Sequence, residues 1–525
     1  MRIRTGVFLR CIMDRLTKHK NGVFYTPAEL ASYLLSHCPD CKPRRVLDPA
    51  CGEFSLLMAA SEKYGLSNDQ MMGCDKRRIR KNNYSGEYCC KDFFKFEDKE
   101  EFDLIVTNPP YVKGDRCPKS CRLWYGERKL EGFTLSKRAD IWVYFILKCL
   151  DHLADSGTLA AILPWSFFQT DYSLELRRYL AAHFKRIDVQ VLTTAHFSDT
   201  PQKVVLLWMV GKGDSRTEVR YCCSDNLSGD ALRFVKIKNE QWLDACSLRG
   251  VKPQCAKVSG VSTFGAYCDV KIGLVPGATK FFVRTKDQLT DIKIKLCECV
   301  KIITQCKSIS AFDVSRIPVD GVRYALKITA KNVDRYRELI ADAEAVDYHK
   351  RSHCKNRKNW YSLDFPERVP DAFFTYRASS VPLMTLNDAA VDCTNSVHRI
   401  FLRDNDLSID KRRWLQISML SAYSLFDFEL KARTYGKNVL KIEPTALRNV
   451  RVYCPDTPVR REKVEEIAGL IEQGNKEAAV VVATAYVFDT MKLSKAKRIR
   501  IVDGYNRLRV QRMGAGNEID FGLET

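Results

Sequence analysis

Short apolar runs alternate with longer segments of helical spacing through the first two hundred or so residues. Val46-Leu47 runs into Asp48, and Met71-Met72-Gly73-Cys74 into Asp75. Phe102-Asp-Leu-Ile-Val-Thr107 runs into Asn108, and Thr158-Leu-Ala-Ala-Ile-Leu163 into Pro164. Ile187-Asp-Val-Gln-Val-Leu192 and Lys203-Val-Val-Leu-Leu-Trp-Met-Val210 follow. Between these runs, residues 28–36, 55–64, 141–153 and 173–183 place apolar side chains at helical intervals. Such alternation predicts an α/β domain, a mostly parallel sheet with helices on both faces. Ligands of such sheets bind beyond the carboxyl ends of the strands.

The pattern changes after about residue 212. Gly211-Lys-Gly-Asp-Ser215 reads as a surface turn. From 241 to 455, aromatic and basic residues interleave with short strand-like runs, which predicts a separate α+β domain. From Arg460 a charged helical pattern runs to Met491. A basic tail follows, with Lys492, Lys495, Lys497, Arg498, Arg500, Arg507, Arg509 and Arg512. That tail is either a solvated helix face or a phosphate-contacting one. The expected division is 1–240, 241–455 and 456–525.

Composition narrows the class. The 525 residues are 45% hydrophobic and 28% charged, which excludes a mainly disordered, collagenous or coiled-coil chain. No stretch approaches the ~18 uncharged apolar residues of a membrane span. The N-terminus lacks the apolar core and small-residue site of a secretory signal. Lys plus Arg is 85 against 64 for Asp plus Glu, a net charge of +21. That balance suits a polyanion partner or a merely basic soluble protein. The 21 cysteines, odd in number and scattered, read as reduced thiols of a cytosolic protein. Cys38-Pro-Asp-Cys41 has zinc-like spacing, but no clear second pair follows, and no metal site is expected.

The candidate chemistry sits at the predicted strand ends. Asn108-Pro109-Pro110-Tyr111 directly follows the strand ending at Thr107. Two prolines without N–H groups make a rigid turn. That turn presents the Asn108 amide oxygen and a proline carbonyl as two acceptors for an amino group with two hydrogens. Tyr111 offers a flat face beside them. The set suits methylation of a planar nitrogen, whose delocalised lone pair becomes nucleophilic when both hydrogens are held. Asp48-Pro-Ala50-Cys-Gly52 has the shape of a nucleoside-cofactor loop. Asp75 can accept from ribose hydroxyls. Asp92-Phe93 can meet an adenine amino group and ring.

In this order the motifs resemble the gamma class of S-adenosylmethionine-dependent DNA adenine-N6 methyltransferases, the Taq-type and type IIG modification enzymes. Gly22-Val-Phe-Tyr25-Thr26-Pro27 before an amphipathic helix resembles that class's first cofactor motif. The resemblance implies a Rossmann-like class I methyltransferase domain, an α+β DNA target-recognition domain and a helical basic C-terminal segment. It implies that Tyr25, Thr26 and Pro27 border the methionine end of S-adenosylmethionine. By the same resemblance Asp48, Ala50 and Gly52 form the cofactor loop, Asp75 meets the ribose, and Asp92 with Phe93 meets the adenine. Asn108, Pro109, Pro110 and Tyr111 are then catalytic. Tyr111 and Phe197 stack on a target base that has left the duplex.

Asp140-Ile-Trp-Val-Tyr-Phe145 and Gly157-Thr-Leu-Ala-Ala-Ile-Leu-Pro164 match later blocks of the class. Residues 273–283, 359–361, 393–398 and 435–444 resemble recurrent blocks of its recognition domain. Lys280, Arg284, Lys355, Arg357 and Lys358 are candidates for phosphate or base contacts, against solvated loop charge. The implied partner is double-stranded DNA. The implied setting is a prokaryotic or virus-infected cytoplasm, with a monomer acting alone or beside a separate cognate restriction endonuclease. The class code would be EC 2.1.1.72. An RNA methyltransferase is the alternative, or a non-catalytic DNA-binding specificity protein. The second alternative arises because Phe54 stands where the class's loop carries Gly. Glycine there permits φ > 0, so Phe54 is expected either to change the backbone or to crowd the site.

Overall fold

The computed structural model describes residues 25–523, apart from 41, 80–83, 98–100, 128–129, 131–132, 137, 193–203, 214–216, 224–226, 228–233, 238–241, 243–250, 252–257, 319–321, 405–406, 436–437 and 515. The chain divides into two compact units, 1–251 and 252–525.

Unit 1 is built on a nine-stranded sheet. Its strands are β1 (Val46–Asp48), β2 (Met71–Cys74), β3 (Glu87–Cys89), β4 (Phe102–Thr107) and β5 (Leu153–Pro164), then β6 (Phe184–Val191), β7 (Val204–Lys212), β8 (Glu218–Cys223) and β9 (Val235–Ile237). They lie in the order β3-β2-β1-β4-β5-β7-β6-β8-β9. The five strands from β3 to β5 are parallel, and β7 runs antiparallel between β5 and β6. The helices are α1 (Ala28–Ser36), α2 (Ser55–Tyr64), α3 (Lys119–Glu127), α4 (Ile141–His152) and α5 (Asp171–Ala181).

The continuous apolar runs arise because both faces of the sheet are covered. Side chains alternate across a strand. Leu159, Ala161 and Leu163 of β5 enter one buried core, whereas Ala160 and Ile162 enter the other. In β7, Val205, Leu207 and Met209 face the first core, and Val204, Leu206 and Trp208 the second. The sheet continues past residue 212 through β8 and β9, where the sequence pattern is less regular. The sulfurs of Cys117 and Cys121 lie in contact beside α3. Cys38 is buried, and its thiol donates to the Leu34 carbonyl. Among the described residues no metal-ligating cluster forms, and no helix is long and apolar enough to cross a membrane.

Unit 2 holds several small sheets. One comprises Cys268–Ile272, Val397–Leu402, Ala372–Thr375 and Met384–Leu386. A three-stranded sheet joins β10 (Arg377–Ala378), β11 (Arg433–Tyr435) and β12 (Val439–Lys441), with β12 in the centre. The longer helices are α6 (Ile409–Leu420), α7 (Ala422–Lys431), α8 (Arg461–Glu472), α9 (Lys476–Thr490) and α10 (Lys495–Met513). The helices after residue 456 belong to this unit rather than standing apart. Gly504 of α10 meets Phe426 of α7 so closely that an added Cβ would lie 2.5 Å from the ring.

The basic tail is therefore not one surface. Lys492, Lys495, Lys497, Arg500 and Arg507 are exposed, but Arg509 and Arg512 are buried. Arg509 pairs with Glu477 and donates to the Asn517 carbonyl. Arg512 pairs with Glu429. A phosphate-contacting role for these two is excluded by that burial.

Candidate active site

A cleft opens at the carboxyl ends of β1 to β4, the place where ligands of such sheets bind. It brings together Tyr25, Ala50, Gly52, Asp75, Asp92, Phe93, Asn108 and Pro110 from the sequence-derived set. Arg77, Ile141 and Phe145 line it as well.

The β1 loop gives the cleft its floor. Asp48 is buried, and its Oδ1 accepts from the Ala50 backbone N–H at 3.0 Å. Burial pushes its carboxyl up to about 8. Asp48 thus shapes the loop from beneath and does not line the cleft. Gly52 has φ +48°, and an added Cβ would lie 3.3 Å from the Tyr25 ring. Glycine is needed there for both the backbone and the close approach.

Phe54 neither crowds the cleft nor changes the loop. It adopts the left-handed conformation, φ 66° and ψ 13°, that the class's glycine would supply. Its ring leaves the cleft and stacks on Tyr84, with centroids 4.2 Å apart and planes at 7°. Tyr88 meets it edge-on. Gly73 of β2 makes room, since a Cβ there would lie 3.1 Å from the Phe54 ring. Phe54→Gly would relieve about 1–2 kcal/mol of left-handed strain and lose about 3–5 kcal/mol of buried ring. We expect a net loss of about 2 kcal/mol in chemical unfolding and no gain in cofactor affinity. Tighter cofactor binding by a more stable variant would contradict this.

Asp75 and Asp92 are both organised by neighbours. Arg77 donates from Nε to Asp75 Oδ1 at 3.0 Å and from Nη2 to Oδ2 at 2.8 Å. Arg77 Nη1 also donates to the Tyr25 hydroxyl at 3.3 Å, and the guanidinium lies over the Tyr25 ring. Asp92 accepts from the Phe94 N–H at 3.1 Å and from the Ser120 hydroxyl at 2.6 Å. A carboxylate has about four acceptor sites, so capacity remains on each. Phe93 stacks on Phe145, giving the cleft an aromatic wall. Sequence reasoning missed Arg77, although a basic residue two positions past a strand-end acid was its signal.

Asn108 follows β4 and is buried. Its Nδ2 donates to the Thr26 hydroxyl at 3.1 Å. This bond fixes the amide orientation and makes Oδ1 its acceptor end. Thr26 therefore touches the Asn108 side chain rather than lining the cleft. Pro27 caps α1, its carbonyl accepting from the Ala31 N–H. Pro109 is buried beside Asn108. The following segment is pinned to α4: Gly114 N–H donates to Asp140, and Ile141 N–H to the Val112 carbonyl.

Tyr111 does not line the cleft. Its ring packs against both sheet cores, and its hydroxyl donates to the Ile162 carbonyl at 3.1 Å. Burial pushes its phenol well up. Phe197 lies outside the described residues.

The recognition-domain candidates divide. Lys280, Lys355 and Lys358 are exposed. Arg357 is spent on its own fold, donating to the Val275, Pro276 and Trp360 carbonyls, with its guanidinium over Phe282. Arg284 likewise donates to the Lys280 and Val283 carbonyls.

The parallel-rich sheet and a cleft with acids, a glycine loop and an aromatic wall suit a nucleoside cofactor such as S-adenosylmethionine. Comparison with known proteins makes this more specific. The Eco57I restriction-modification methylase family matches residues 53–195, and the C-terminal domain of Type II methyltransferase M.Eco57I matches residues 250–488. Both halves of the chain thus resemble Eco57I-type restriction-modification methylases, and S-adenosylmethionine is the cofactor.

Type II methyltransferase M.AccI of Acinetobacter calcoaceticus is 22% identical over 82% of this chain and 85% of its own length. M.CvrRI of Paramecium bursaria Chlorella virus XZ-6E is 27% identical over 30% of this chain and 40% of its own. M.HindII of Haemophilus influenzae is 21% identical, with 60% of its length covered. The match thus spans less than two thirds of the last two. Among solved structures, the type IIL restriction-modification enzyme MmeI in complex with DNA shares the fold. Its TM-score is 0.53 at 12% identity, over 97% of this chain and 77% of that one.

Proposed function

We propose that this protein is a site-specific DNA adenine-N6 methyltransferase, EC 2.1.1.72, acting on duplex DNA. In this reading residues 1–240 are catalytic, residues 241–455 recognise the target, and the 456–525 segment completes the second unit. It acts as a monomer in the cytoplasm of its host, alone or beside a separate endonuclease. The observation that carries the reading is Asn108, held by Thr26 on the wall of a nucleoside-suited cleft.

The residues around the cleft fit S-adenosylmethionine. Asp75 suits ribose hydroxyls, Asp92 and Phe93 suit an adenine, and Gly52 leaves room beneath Tyr25. When bound, S-adenosylmethionine supplies an electrophilic methyl group. Asn108 Oδ1 and the Pro109 carbonyl accept the two hydrogens of the target amino group. The two prolines fix the direction of both acceptors. The amino nitrogen is thereby drawn towards a geometry with a localised lone pair. The base leaves the stack to reach these acceptors. In this reading Phe197 holds a face of the base, while Tyr111 supports the Asn-Pro-Pro turn from the cores through its hydroxyl on the Ile162 carbonyl. No protein nucleophile is required. Burial pushes the Cys51 and Cys74 thiols up, so both stay protonated beside the cleft.

The test is methyl transfer from labelled S-adenosylmethionine into unmethylated, sequence-diverse genomic DNA, followed by digestion to nucleosides. We expect label in N6-methyladenine. Label in a cytosine derivative, or incorporation into RNA alone, would overturn the assignment.

A further inference from the structure

The three-stranded sheet of unit 2 carries a charge pattern that its own stability does not explain. Register sets Arg377 of β10 opposite Lys441 of β12, and Lys441 opposite Arg433 of β11. Their strand neighbours Ala378 and Leu440 are buried on the other side of the pleat. The three cations therefore share the outward face. Arg377 and Arg433 are exposed, and Lys441 is half-buried with Glu443 at 2.5 Å. Among the described residues Arg433 makes no ion pair. Strands lie about 4.8 Å apart, so the outer two cations stand about 10 Å from each other. Like charges directly opposite one another destabilise a sheet.

The row is mounted on a rigid base. The Arg377 guanidinium and the Lys441 ammonium lie 5.6 and 5.4 Å from the Tyr376 ring centroid. Tyr376 packs edge-on against His398, with centroids 4.9 Å apart. His398 is buried, and its Nε2 donates to the Ile442 carbonyl at 2.7 Å. His398 and the Lys441-Ile442 pair thus meet at this contact.

We infer that Arg377, Lys441 and Arg433 form a contact row for the backbone phosphates of duplex DNA. The inference rests on the DNA methyltransferase reading above. Backbone contacts supply affinity and register rather than sequence choice. The row therefore serves every target the enzyme meets.

The experiment measures binding of the full-length protein to a fluorescent DNA duplex between about 50 and 200 mM salt, the range over which counterion release is read. Each lost phosphate contact lowers the slope of log affinity against log salt by about 0.9. Arg377→Ala/Arg433→Ala is expected to lower it by about 1.8, equally on unrelated sequences. Its melting temperature is expected to hold or rise, because repulsion is removed. Lys286→Ala/Lys331→Ala, the same charge change at two other exposed sites of unit 2, is the control and is expected to change the slope little. An equal slope loss in the control, or a lower melting temperature in the row variant, overturns the row. An unchanged slope in the row variant overturns it too, with the methyltransferase reading intact. A wild-type protein with no salt-dependent DNA binding overturns both.

Discussion

Asn108→Ala is expected to abolish methyl transfer for practical purposes, with kcat down at least about 100-fold, as for loss of one preorganised polar group at a reacting centre. The side chain contributes an acceptor whose value rises as the amino nitrogen changes geometry, so the loss falls on kcat rather than on substrate affinity. DNA affinity is expected to stay within about twofold, since the recognition surface is untouched and the change is uncharged. Removal of the Nδ2 bond to Thr26 should cost only about 1 kcal/mol of stability. Thr26→Val is the informative companion. It keeps Asn108 but frees the amide to turn, so a smaller kcat loss with unchanged cofactor affinity is expected. Weakened cofactor binding with normal kcat in Thr26→Val would return Thr26 to the cofactor role that motif resemblance gives it. Equal loss of DNA binding and transfer in Asn108→Ala would sink the assignment of Asn108 itself.

The parts of this site that were legible in the sequence share one cause. β1, β2 and β4 are apolar runs ending in polar residues, because strands buried on both faces must be apolar until they emerge. Asp75 and Asn108 stand where that emergence occurs. Residues 55–64 were read as a helix at the bounds found, and β7 was read almost in full. The edges were not legible. Glu87–Cys89 is short and half-exposed, with no apolar run to mark it. Phe54 exposed a different gap. Sequence places a large ring at a glycine position but does not give its direction, which Tyr84 and Gly73 set from thirty and nineteen residues away. Tyr111 is the converse case. The motif implies a face at the cleft mouth, while a hydrogen bond to Ile162 holds the ring against the cores. Arg77 carries a local signal beside Asp75, but its reach to Tyr25 becomes visible only once two segments meet.

Arg512→Ala is expected to cost unit 2 about 3–5 kcal/mol, the range for breaking one half of a buried ion pair. From composition alone Arg512 belongs to a basic tail, and its loss should then weaken DNA binding and spare stability. Its surroundings argue the opposite. Arg512 and Glu429 are 2% and 3% exposed. The guanidinium donates from Nε to Glu429 Oε2 at 2.8 Å and from Nη2 to Oε1 at 2.7 Å. Its Nη1 donates to the Ser379 and Asn438 carbonyls. One side chain of α10 thus ties together α7 and the loops next to β10 and β12. Truncation strands the Glu429 charge and two carbonyls away from water, and each stranded group carries its own desolvation cost. Arg512→Met/Glu429→Leu removes both charges at similar volume, so it should recover a large part of that loss. Chemical unfolding followed by a unit 2 tryptophan such as Trp414 reads the difference, and DNA binding is measured below the transition. A stable Arg512→Ala protein with a reduced salt slope would make Arg512 a phosphate ligand after all. A destabilised one rescued by the apolar pair fixes it as the clamp that holds the C-terminal helix in place.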